Sequence, residues 1–99
     1  MVTRRPMSAR RARALIDAAT LVKAPDWRES RRWHVVSGGT VLVVVAPSYG
    51  GTSATGRNGW RWWIAALGPS GDRRREGTRE QAAGRGLADW ERWVTSPRR

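Results

Sequence analysis

The chain has 99 residues, enough for one hydrophobic core but not for a second domain or a large substrate cavity. It contains no cysteine, which excludes disulfides and thiolate metal sites. Its net charge of +11 directs attention to polyanions: nucleic acid, an anionic membrane surface or an acidic protein.

All but one of the nineteen basic residues are arginine, there is no phenylalanine, and lysine, isoleucine, asparagine and tyrosine are scarce. This is the imprint of GC-rich codons, and the composition reads as that of a high-GC bacterium or its phage. Codon bias accounts for arginine over lysine. It does not account for nineteen bases against eight acids, so the net charge keeps its functional weight.

Residues 1–7 read as a basic N-terminal arm, 8–95 as a single domain and 96–99 as a basic tail. No signal peptide is recognisable and the longest apolar run, Val41 to Ala46, falls far short of the ~20 residues that cross a bilayer. A cytoplasmic location with no membrane partner is expected.

Ser8 is placed to cap a helix running to about Lys23, with Ala12, Leu15, Ile16, Ala19 and Val22 on its apolar face. Ala24-Pro25 ends it, because the residue before proline is pushed out of the helical region. Arg31–Val36 and Thr40–Ala46 form a hairpin around Gly38-Gly39. That turn pairs Val36 with Val41, Val35 with Leu42, His34 with Val43 and Trp33 with Val44. One face then carries Trp33, Val35, Leu42 and Val44, and the other His34, Val36, Val41, Val43 and Val45. The second strand is apolar on both faces, as expected of a central strand or one covered by a partner.

A Gly/Ser/Thr loop spans 47–59 and a third strand 60–67. In that strand Trp60, Trp62, Ile64 and Ala66 face one way, and Arg61, Trp63, Ala65 and Leu67 the other. A turn over 68–72 leads to a short charged edge strand, Arg73 to Gly77. Thr78 with Gln81 forms a capping box for the last helix, which buries Ala83, Leu87, Trp90 and Val94 and stops at Ser96-Pro97. Gly84 and Gly86 within it suggest close packing on the sheet. The fold class is α+β, in the order α-β-β-β-(β)-α, with an antiparallel sheet of three or four strands and both helices on one face.

This order resembles the double-stranded-RNA-binding domain. The stretch from Trp60 to Trp93, with Gly77-Thr78-Arg79-Glu80-Gln81-Ala82-Ala83 at its helix start, is similar to the strand-to-helix part of that family and of the arm-type DNA-binding domains of phage integrases. The double-stranded-RNA family has a lysine-rich start to its last helix, whereas only Arg79 is basic here. Its loop between early strands is replaced by Gly38-Gly39. The resemblance implies a topology and one contact residue, Arg79.

An enzyme is not expected. His34 is the only histidine, no acid–base pair assembles, and no metal-ligand cluster or cofactor motif is present. The stretch Gly51 to Gly56 lacks the Lys-Ser/Thr of a phosphate-binding loop and continues as a strand. Asp89 and Glu91 read as solvated carboxylates available to Arg85 or Arg92.

The candidate site residues are basic and aromatic. Arg10, Arg11 and Arg13 continue a run with no acid before residue 14. Arg73, Arg74, Arg75 and Arg79 surround a helix start suited to phosphate. Arg57, Arg61 and Trp63 share the third-strand region, with Trp63 as the tryptophan expected to be open to a ligand. The favoured expectation is a small non-enzymatic protein that binds DNA or RNA. The alternative is a phage or accessory protein that modulates an acidic host protein through Trp63, the valine face and an arginine rim. A third is a homodimer formed through the sheet.

Overall fold

A computed structural model describes residues 6–48, 59–69 and 74–97. Ser8 caps α1 (Ala9–Asp17) as its side chain predicts, accepting the Arg11 N–H at 3.1 Å. The helix is shorter than its apolar spacing suggests. It ends at Asp17, and Thr20–Lys23 form a strand, β1. Two β-branched residues in four favour that state, and pairing Leu21 with Val35 supplies tertiary contacts that the helical pattern lacks. Val22, assigned by spacing to the helix face, is 42% exposed.

One turn of helix, α2 (Trp27–Ser30), follows Pro25 and ends at Arg31, whose φ of 59° is left-handed. Strands β2 (Trp33–Ser37) and β3 (Thr40–Ser48) join through Gly38 and Gly39, with φ of 58° and 77°. Two successive positive φ values are what a type I′ hairpin turn requires.

Next to that turn the register is as expected, with Val36 opposite Val41. Beyond it a β-bulge shifts the pairing to Val35–Val43, His34–Val44 and Trp33–Val45. Leu42 is the extra residue. Leu42, Val43 and Val45 therefore lie in the main core, while Val41, Val44 and Ala46 lie on the opposite face. This inverts the faces expected for residues 43–45. A run of valines is equally apolar in either phase, so alternation alone does not fix which side each residue takes.

β4 (Gly59–Ile64) completes an antiparallel sheet of order β1-β2-β3-β4, which makes β3 central as its two apolar faces require. The fourth strand is thus β1, at the β2 edge. The segment expected to form an edge strand at 73–77 gives a single bridge, Trp60–Glu76, while Arg73 lies outside the described residues. β4 stops at Ile64, and residues 65–67 turn away.

The last helix, α3 (Arg79–Thr95), is capped by Thr78, whose side chain accepts the Gln81 N–H at 3.0 Å. α1 and α3 pack on one face of the sheet. Ala12, Val35, Val43, Val45, Trp62, Ala82, Ala83, Trp90 and Val94 are buried between them, with Leu87 partly buried alongside. A Cβ on Gly86 would come within 2.3 Å of Val43 Cγ1, so its lack of a side chain lets the helix seat on β3; Gly84 faces open space. The Ser37 hydroxyl donates to the Leu15 carbonyl at 2.7 Å, and the Met7 N–H to the Val94 carbonyl at 2.6 Å. Among the described residues no helix is long and apolar enough to cross a membrane.

Candidate nucleic-acid interface

Tryptophan and arginine meet throughout this fold, as guanidinium groups lying over indole rings. Arg79 sits 4.0 Å from the Trp33 ring centre, and Arg74 5.4 Å from that of Trp62. Arg32 and Arg61 lie over Trp63 at 5.3 and 5.0 Å. Lys23 and Arg31 approach Trp27 at 4.2 and 4.8 Å. A guanidinium stacked by its face keeps N–H donors at its edge, so stacking orients these arginines without consuming them.

The antiparallel order brings the start of β2, the end of β3 and the start of β4 to one end of the sheet, beside α2 and the first turn of α3. There Trp27, Arg31, Trp33, Pro47, Trp60 and Arg79 line a cleft of about 480 Å³. Trp27 and Trp33 meet edge to face, 6.4 Å apart at 84°. The buried Trp27 N–H has no acceptor among the described residues. Arg79 reaches the cleft from the first position of α3, and its Nε donates to Glu80 at 2.9 Å. That bond, together with Glu80's own backbone N–H as the larger cause, holds the Glu80 carboxyl below its ordinary value of 4.5.

The sequence-derived residues divide among three surfaces. Arg10, Arg11 and Arg13 are exposed on α1; Arg13 approaches Glu91 at 3.9 Å, while Arg10 and Arg11 have no carboxylate partner among the described residues. Arg74 and Arg75 are exposed ahead of α3, Arg74 within 3.5 Å of Asp89. Arg61 lies on the far face of the sheet. Arg57 and Arg73 lie outside the described residues.

Trp63 points to the face opposite Trp62, as alternation predicts, but it is 7% exposed and packs with Val44 and Ala46. The expectation that it is the tryptophan open to a ligand is therefore corrected. Pairing with Val44 and two guanidinium groups cover it. The valine hot spot is corrected with it, because Val43 and Val45 are fully buried under the helices. Trp33 and Trp60 pack, partly buried, against the main core, and the sequence does not assign Trp27 to either face. These three form the aromatic walls of the cleft. No local pattern marks them, since they converge only through strand order.

Asp89 is more than a solvated carboxylate. It accepts the Trp62 indole N–H at 2.9 Å and also pairs with Arg92. Arg85 pairs instead with Glu76 at 3.5 Å. His34 is half-buried on the far face, opposite Val22 and Val44. No group of three or more His, Cys, Asp or Glu able to hold a metal occurs among the described residues. Comparison with known proteins returns no matching family model, no matching curated protein and no matching solved structure.

Proposed function

We propose that this chain is a small non-enzymatic nucleic-acid-binding protein. The observation that carries the reading is the set of unneutralised arginines on the helical layer and ahead of α3. Nineteen bases face eight acids, and Arg10, Arg11 and Arg75 are exposed with no carboxylate partner among the described residues. Arg13, Arg74 and Arg92 keep their own side chains largely exposed in their pairs with Glu91 and Asp89, so phosphates can compete for them. Arg31 and Arg79, held over indole rings, add oriented donors at the end of the sheet.

Labelled DNA and RNA oligonucleotides report the binding by fluorescence anisotropy. Affinity is expected to fall at least tenfold between about 50 and about 200 mM salt, the signature of two or more phosphate contacts. No binding to either nucleic acid at the lower salt overturns the proposal. Retention of an acidic protein from nuclease-treated lysate, with no binding to oligonucleotides, would favour the accessory-protein alternative.

A further inference from the structure

We propose that the cleft at the β2/β4 end of the sheet holds a base and phosphate of an unpaired nucleic-acid strand. The inference rests on the nucleic-acid reading above and names the form of nucleic acid that this site takes. The cleft volume of about 480 Å³ lies within the range of ligand-binding clefts, roughly 300–1,000 Å³. It admits a nucleotide but not a double helix. Its walls come from Trp27, Trp33 and Trp60, and its charge from Arg31 and Arg79. Lys23 and Arg31 lie over Trp27 and Arg79 over Trp33, whereas no cation among the described residues lies over Trp60, so a base can stack on Trp60 or exchange with those cations, which then meet its phosphate. An acidic peptide would use the arginines and leave the indoles without a role. Base faces are hidden within a duplex and accessible only in an unpaired strand.

The neighbouring charges fit this occupant. Lys23 lies over Trp27, and Arg79 occupies the first position of a 17-residue helix, at the positive end of its dipole. Glu80, next to Arg79 in the chain, engages only its Nε, so the other guanidinium nitrogens remain for phosphate.

Trp27 gives the cleanest test, because it lies outside both core clusters and its replacement leaves the net charge unchanged. The full chain is titrated against a fluorescein-labelled single-stranded thymidine oligonucleotide, the same strand in duplex form, and thymidine monophosphate. Trp27→Ala is expected to weaken single-strand binding at least tenfold and leave duplex binding within twofold, with Trp27→Phe restoring most of the affinity. Should Trp27→Ala lose its circular-dichroism signature, Arg31→Gly serves instead. Glycine suits the left-handed backbone at that position, and single-strand affinity should fall more than duplex affinity.

Equal single-strand affinity of Trp27→Ala and the parent chain overturns the inference and leaves the nucleic-acid reading standing. Absence of binding to every oligonucleotide overturns both. Monophosphate binding as tight as the oligonucleotide's makes the site one for free nucleotides and overturns the strand assignment. Displacement of the oligonucleotide by an oligoglutamate peptide, sensitive to Trp27→Ala, overturns it in favour of an acidic peptide.

Discussion

The Trp62 indole N–H donates to Asp89 Oδ2 at 2.9 Å, tying the buried face of β4 to the half-buried flank of α3. Asp89→Ala leaves that donor part-buried without its acceptor and is expected to cost about 1–3 kcal/mol in urea unfolding. Asp89→Asn keeps an acceptor and should cost clearly less. The exposed pair with Arg92 adds little to either figure.

The two glycines of α3 should respond to alanine in opposite directions. Gly86→Ala drives a methyl group into Val43 and should destabilise by about 1–3 kcal/mol. Gly84→Ala meets nothing within 4 Å and should stabilise by about 0.5–1 kcal/mol through helix propensity. Urea midpoints of the two variants give the comparison directly.

Glu80 supplies a pH dependence with a defined sign. Its folded-state pKa is lowered, so its contribution to stability is complete above the ordinary value of 4.5 and is lost as pH falls through the lowered folded value. Glu80→Gln should flatten the thermal-stability profile in that acid window and slightly lower stability above it, where the carboxylate contributes fully. The same variant removes a negative charge beside Arg79 and should tighten nucleic-acid binding about two- to fivefold at low salt.

Replacing Arg10, Arg11 and Arg13 together with glutamine tests the α1 surface. Each phosphate that these side chains no longer neutralise should lower the magnitude of the log–log salt slope by about 0.9, giving a total of about 1–3. Anisotropy titrations across a salt series measure it, and an unchanged slope removes α1 from the footprint.

The local signals were legible in the sequence. Both helix caps, the double-glycine turn, the shared face of Trp60 and Trp62 and the central position of β3 follow from side-chain chemistry at fixed spacing. What escaped depended on tertiary choice. Thr20–Lys23 continues a helical pattern and becomes a strand only because β2 offers a partner. The bulge at Leu42 is silent in a run of valines that suits either face. The cleft was illegible for the same reason, because Trp60 is far along the chain from Trp27 and Trp33 and meets them only once the strand order is set. The solvent access expected of Trp63 failed because alternation gives direction and not cover.

The bond from Met7 to Val94 joins the segment just ahead of the first helix to the end of the last. Nearly the whole chain lies between those two segments, so α1–α3 docking closes a long loop and gains no help from proximity along the chain. The seam between these helices is therefore expected to form late in folding. A circular permutant that links the two ends directly would turn this most distant pairing into a local one and should fold faster.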